Sequence, residues 1–439
     1  MSKNSRVIVG LGKTGLSYAR YLTERNLDYK VLDDNPNNAC VSELNKIKPE
    51  VEIRRINSLS LKEVSEIYLS PGVPLSNPKI SEARRNGVKV YGDIEIFCNN
   101  ATFPIIAITG TNGKSTVSKL TELILSKHFR NVVLAGNIGE PALDSLGVNP
   151  CLAVLELSSF QLELAPKIKS EVAVLLNLSD DHLDRYESQA AYFKTKLSVY
   201  RECKKAVINR VLLDRVHRDF EQIATFGSDQ KDGIGNFGIR KEEDEYFLMH
   251  GSEKLVSESQ LKLKGNHNLQ NVLASIAIGW LLGIELDEII RAVRDFEGLP
   301  HRSELVGEKD GILFVNDSKA TNSGALLASV EGQAKNHRIH LIVGGETKGS
   351  NFHSVVKQIT PLLDSVFVIG NDQDQILREF SPCDAISCQT LHEAVSRSYE
   401  NSKSGDMVLL APGCASTDQF DNFEERGDVF REAVQQVIS

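Results

Sequence analysis

Residues 105–117, IIAITGTNGKSTV, run from an apolar stretch through a Gly-rich turn into a helical pattern. Gly110, Thr111, Asn112 and Gly113 are small enough for backbone N–H groups to converge on phosphate oxygens. Lys114 adds a point charge for the β- and γ-phosphates, the Ser115 hydroxyl suits Mg²⁺, and Thr116 completes the turn. Ile108 stands where a Walker A pattern has its first Gly, so this is a shortened variant, G-T-N-G-K-S-T. Val117, Leu120 and Ile124 recur at helical spacing after it. The chemistry this implies is ATP binding.

A second Gly-rich turn stands near the start. Val7-Ile8-Val9-Gly10-Leu11-Gly12-Lys13-Thr14-Gly15 is a strand followed by G-x-G-x-x-G, and the next strand candidate ends in Asp33. Alone, that pattern fits NAD(P), a nucleotide-sugar diphosphate or a plain structural turn. Such a turn binds a diphosphate without regard to its nucleotide. With the ATP site already placed elsewhere, the nucleotide-linked substrate is the favoured occupant.

Four further segments carry chemistry. In CLAVLELSSFQLE (151–163) a buried strand delivers Glu156 at its carboxyl end, where Mg²⁺ on nucleotide phosphates would sit. NLSDDHLDRY (177–186) centres a polar cluster on His182. NDSKATN (316–322) offers an acid, a cation and two hydroxyls with no apolar residue larger than Ala320. APGCASTDQFDNFEERG (411–427) has the composition of a ligand loop. A surface Glu, a core or surface His and two solvated loops are the competing readings.

The elements that must position these residues form three α/β blocks. Block one has strand candidates at 6–9, 30–33 and 67–70 and ends near Gly92-Asp93. Block two has strands at 105–109, 152–157, 172–177 and 205–209, then a polar segment from about 225 to 263 that suggests antiparallel hairpins. A helix from about 267 to 282 closes it. Block three follows Gly298-Leu299-Pro300, with strands at 312–316, 340–344, 365–370 and 407–411. The alternation predicts doubly wound, mainly parallel sheets with ligands at strand carboxyl ends.

Bulk properties agree with a large soluble enzyme. At 439 residues the chain exceeds the size of a single core. A net charge of −9 without a basic run argues against nucleic acid as the partner. The seven cysteines form no CxxC pair and read as thiols of a cytoplasmic protein. No signal-peptide core opens the chain, and the apolar run Val272 to Ile284 falls short of the ~20 residues that span a bilayer.

GTNGKST, LELSSFQLE, NLSDDHLDRY, KGNHNLQN (264–271), GLPHR (298–302), NDSKATN and CASTDQFDNFEERG together resemble the Mur ligases in order and spacing, over essentially the whole chain. The closest pattern is that of the members that add D-glutamate. The first turn lacks the Gly-Gly-x-Gly-Met form of the L-alanine-adding members, and block three lacks the Asp-Asn-Pro-Arg motif of those adding a diamino acid. Folylpolyglutamate synthetases lack such a first domain.

The resemblance implies a Rossmann-like N-terminal domain (1–93) for the UDP-linked substrate, a central P-loop-type ATPase domain (94–298) and a Rossmann-like C-terminal domain (299–439) for the amino acid. It implies that UDP-N-acetylmuramoyl-L-alanine and D-glutamate are joined with ATP and Mg²⁺ through an acyl phosphate, in the cytoplasm, by a monomer. Lys114 would grip the phosphates, with Asn271, Arg302 and Asp317 on the nucleotide and Lys319 among the catalytic residues. Ser115 and Glu156 would hold one Mg²⁺, and His182 and Lys196, the latter as a carbamate, would support a second. Gly12, Thr14, Gly15, Asp33, Ser70, Pro71, Gly72, Asn137, Gln161 and His182 would hold the UDP-linked substrate. Thr321, Lys348, Ser416 and Phe423 would surround D-glutamate. Asp34-Asn35 stands where the family pattern has Thr-Arg, so no arginine follows Asp33.

Overall fold

The computed structural model describes all residues except 1–4, 36–38, 50, 59–63, 180, 182–184, 264, 335–336, 348–351 and 384. The described residues form three sheets. The first contains β1 (Ser5–Val9), β2 (Tyr29–Leu32), β3 (Ile53–Arg54), β4 (Val64–Leu69) and β5 (Lys89–Tyr91), in the order β3-β2-β1-β4-β5. All its pairings are parallel, the doubly wound arrangement that leaves a crevice at the carboxyl end of β1.

The second sheet contains β6 (Ile105–Thr109), β7 (Val132–Gly136), β8 (Leu152–Leu157), β9 (Lys169–Leu175), β10 (Glu202–Asn209), β11 (Gln222–Phe226), β12 (Asn236–Glu242), β13 (Glu245–His250) and β14 (Glu253–Ser257). Their order is β14-β13-β12-β11-β10-β9-β6-β8-β7. β6 and β8 are buried along their whole lengths, which is why they read as continuous apolar runs rather than alternating ones. The polar segment after residue 225 does form antiparallel pairs, and these extend the same sheet.

The third sheet contains β15 (Glu304–Lys309), β16 (Ile312–Asn316), β17 (Ile339–Gly344), β18 (Leu363–Ile369), β19 (Ala385–Ser387) and β20 (Met407–Leu410), ordered β15-β16-β20-β17-β18-β19. Among the described residues only its β15–β16 strand pair is antiparallel. Apolar layers cover both faces, with Leu341, Val343 and Leu409 toward one and Ile342, Phe367 and Leu410 toward the other. Among the described residues no helix is long and apolar enough to cross a membrane.

By packing, the chain divides into two compact units. The first is Met1–Leu178, Ser188–Ser257 and Gln270–Arg294; the second is Ser179–Glu187, Glu258–Leu269 and Asp295–Ser439. Sheets one and two therefore share a unit, and polar contacts join them. Ser17 Oγ and Arg20 Nε donate to Asp144 Oδ1 at 2.9 and 3.1 Å. Gln161 Nε2 donates to Asp93 Oδ2 at 3.3 Å. Asp93 opens the helix Asp93–Asn100, is 2% exposed, and its Oδ1 has no hydrogen-bond partner.

That burial pushes the Asp93 carboxyl up to about 6, with the Gln161 hydrogen bond opposing the shift. An unfolded Asp titrates near 3.9, so the folded protein holds the extra proton between about pH 4 and pH 6. The contribution of Asp93 to stability is thus greatest below that window and falls as pH rises through it, by up to about 3 kcal/mol. Asp93→Asn should remove this slope: urea unfolding should show the variant more stable than wild type at pH 7.5 and nearly equal to it at pH 4. Equal pH slopes in the two proteins would contradict the assignment.

Candidate active site

The nucleotide turn leaves β6 at Thr109 and enters the helix Lys114–His128. Gly113 caps that helix at φ +82°, and a Cβ there would meet Asn271 Oδ1 at 2.3 Å. Both the left-handed backbone and the close approach require glycine. Asn271 is buried, and its carbonyl accepts from Ser275 Oγ at 3.1 Å. Asn177 grips the turn from the end of β9. Its side chain accepts from Asn112 N at 2.8 Å and donates to Asn112 O at 3.0 Å, while its carbonyl accepts from Thr111 N at 3.1 Å.

Two lysines meet at one oxygen of this turn. Lys114 Nζ donates to Gly110 O at 3.0 Å and to Thr111 O at 2.8 Å. Lys196 Nζ, from the helix Gln189–Leu197, donates to the same Gly110 O at 2.8 Å and to Thr109 Oγ1 at 3.4 Å. Lys196 is 2% exposed, and its ammonium lies 5.1 Å from the Tyr192 ring centroid. The Tyr192 hydroxyl is hydrogen-bonded to Thr111 Oγ1 at 3.1 Å. The Lys114 ammonium at a Gly-rich turn supplies positive charge where a polyphosphate would sit.

Glu156 sits on β8 between Ile108 of β6 and Gly136 of β7 in the register of the sheet. It is 1% exposed; Oε1 accepts from Asn137 Nδ2 at 2.7 Å, whereas Oε2 is buried without a partner. Ser115 is likewise buried. Among the described residues no three His, Cys, Asp or Glu side chains cluster as a metal cage. One orphaned carboxylate oxygen plus a hydroxyl is nevertheless the protein share that Mg²⁺ takes when phosphates and water supply the rest. The residues fit that ion. His182 lies outside the described residues.

In the first sheet, Gly10 and Gly15 bring the turn close to itself: a Cβ on Gly15 would meet Gly10 O at 2.2 Å. Gly12 and Gly72 face open space, and Thr14 is half-buried in the first helical turn. Ser70 Oγ donates to Gly10 O at 2.7 Å, and Pro71 follows it in the loop after β4. The Asp33 carboxylate accepts from Leu11 N at 2.6 Å and Asn35 N at 2.7 Å, so it fastens the turn itself. Gln161 is similarly engaged. Its Oε1 accepts from Ser158 N and Oγ in a capping box, and its Nε2 reaches Asp93.

The remaining candidates belong to the second unit. Asp317 follows β16, and desolvation raises its carboxyl pKa while the Arg302 charge opposes that. Lys319 Nζ lies 3.7 Å from the Phe423 ring centroid, and Thr321 comes two residues later. Ser416 is buried in the loop after β20. Arg426, 1% exposed, ties these loops together: it donates to Ser318 Oγ and O, to Cys414 O and to Gly344 O. Lys348 lies outside the described residues. Asn177 and Arg426 fall inside motifs quoted from the sequence without a role of their own, and Tyr192 falls outside them, because bonds to backbone or to a distant hydroxyl leave no spacing signal.

Sequence comparisons bear on the same segments. The signature of the MurD-like Mur ligase N-terminal domain matches residues 4–92, that of the Mur ligase middle domain 108–279, and that of the Mur ligase glutamate ligase domain 301–414. The chain is 40% identical over 433 residues to the UDP-N-acetylmuramoylalanine–D-glutamate ligase of Hahella chejuensis, covering 97% of each. It is 38% identical to the Pseudomonas aeruginosa ligase of that name, covering 99% of each. In fold it is similar to UDP-N-acetylmuramate-alanine ligase from Thermotoga maritima, with a TM-score of 0.63 at 18% identity over 99% of both chains. MurF from Acinetobacter baumannii gives 0.61 at 21% identity, over 76% of this chain and 78% of that one. With both turns and all three sheets accounted for along nearly the full length, this chain belongs to the Mur ligase family.

Proposed function

We propose that the protein joins the amine of D-glutamate to the L-alanyl carboxylate of UDP-N-acetylmuramoyl-L-alanine at the expense of ATP, in the cytoplasmic stage of peptidoglycan synthesis and as a monomer. The observation that carries this reading is the presence of two Gly-rich turns in one unit. One has the Lys114 and Lys196 side chains converging on its Gly110 carbonyl, and the other is open at Gly12. Near-full-length likeness to ligases of that name supports the choice of substrates. A dehydrogenase would need only the first turn and leaves the second unexplained. We read the domain limits as 1–93, 94–298 and 299–439.

A carboxylate is a poor electrophile, so it first takes the γ-phosphoryl group of ATP. The amine of D-glutamate then attacks the acyl phosphate and expels phosphate. Two anions must approach in the first step, so the work of the chain is positioning and charge neutralisation. Gly110 to Gly113 present backbone donors, Lys114 neutralises the phosphates, and Thr116 and Asn271 shape the turn. Ser115 and Glu156 would hold Mg²⁺, with His182 and Lys196 toward a second ion; the metal supplies charge stabilisation on the phosphoryl oxygens. Arg302 and Asp317 are assigned to the nucleotide and Lys319 to the reacting groups. Gly12, Thr14, Gly15, Asp33, Ser70, Pro71, Gly72, Asn137 and Gln161 are assigned to the UDP-linked substrate. Thr321, Lys348, Ser416 and Phe423 are assigned to D-glutamate.

Phosphate release should require ATP, the UDP-linked substrate and D-glutamate together; equal rates with L-glutamate would overturn the amino-acid assignment. We assign Lys196 as a carbamate: the ammonium gives up a proton, the neutral amine adds CO₂ and releases a second proton, and the product is a ligand anion that keeps one N–H for the Gly110 carbonyl. Lys196→Ala should lose most activity, and short carboxylic acids should restore part of it. Full activity in that variant would remove Lys196 from the mechanism.

A further inference from the structure

Asn137 holds Glu156 at two points. Its main-chain N–H donates to Glu156 O at 2.9 Å, and its side-chain Nδ2 donates to Glu156 Oε1 at 2.7 Å. The amide orientation follows from chemistry: turned over, it would set two oxygens against each other with no proton between them. Asn137 itself is exposed, yet the carboxylate it grips is buried and keeps a second oxygen, Oε2, without a partner. The strands on either side of β8 close the flanks, since Ile108 and Gly136 sit opposite Glu156.

A buried carboxylate with one oxygen pinned and the other unbonded has its torsion fixed and its remaining lone pairs aimed in one direction. Partners of that kind orient a ligating group, and their loss typically weakens metal affinity or activity about 10–100-fold. We propose that Asn137 is a positioning residue for Glu156, fixing the carboxylate so that Oε2 is presented to the nucleotide-bound divalent cation. This goes beyond its assignment to the UDP-linked substrate and rests on the reading of Glu156 as a metal ligand.

The test uses Mn²⁺ as the probe, read by electron paramagnetic resonance on the whole protein with a non-hydrolysable ATP analogue. Asn137→Leu keeps the branched side-chain shape and removes the donor; Asn137→Ala removes both, so a folding defect in one variant leaves the other to decide. Thermal midpoints identify the folded variants. Each folded variant should bind Mn²⁺ at least about 10-fold more weakly than wild type. The UDP-linked substrate is left out of this titration, so losing Asn137 as a contact to that substrate does not by itself move the readout. Unchanged Mn²⁺ affinity with a raised KM for that substrate would overturn the proposal and leave Asn137 as a substrate contact. If Glu156→Gln binds Mn²⁺ as tightly as wild type, the metal reading of Glu156 fails, and the positioning role fails with it for a separate and recognisable reason.

Discussion

The carbonyl of Gly110 accepts hydrogen bonds from two ammonium groups, those of Lys114 and Lys196. Lys114 comes from the helix that the turn opens, and Lys196, more than eighty residues later in the chain, comes from the helix Gln189–Leu197. Burying an ammonium costs several kcal/mol unless hydrogen bonds replace its water, so the Lys196 helix is bound to the turn by that need. The pairing also explains why Tyr192, one turn earlier, is fixed to Thr111. The phosphate turn is therefore shaped by distant elements as much as by its own glycines. Asn177 completes the grip from β9.

The second unit solves a similar problem with a guanidinium. Arg426 is buried, and it donates to carbonyls and a hydroxyl. Desolvation lowers its pKa to about 10. Its donors, set in a fixed fork, reach the end of β17 and the loops after β16 and β20 at once. A lysine has neither the number of donors nor the planar spread to do this. The loops carrying Asp317, Lys319, Thr321 and Ser416 thus gain a common rigid support.

Within the first unit the polar joints follow the same logic. Asp93 and Asp144 come from opposite sides of the division expected at residue 93, and each carboxylate accepts from a side chain across it. Sheets one and two accordingly pack as one unit, and Leu11, Tyr18, Phe97, Leu143 and Leu162 share an apolar cluster.

The α/β class, the long buried strands and the two Gly-rich turns were legible in the sequence, because each depends on local spacing. β6, β8 and β16 stand at their expected limits, and Gly113 has the φ that its place in the turn requires. Strands β3, β5 and β19 were not legible, since two or three residues are too few for a periodicity. Nor could spacing reveal that Asp33 and Gln161 spend their polar atoms on their own chain, or that Glu156 has one oxygen pinned and one unpaired. The sequence alone determined which chemical groups stand at the ends of which strands, because that follows from local pattern. Tertiary structure alone decided which of those groups are buried and already bonded, because burial and partnership are set by residues far apart in the chain.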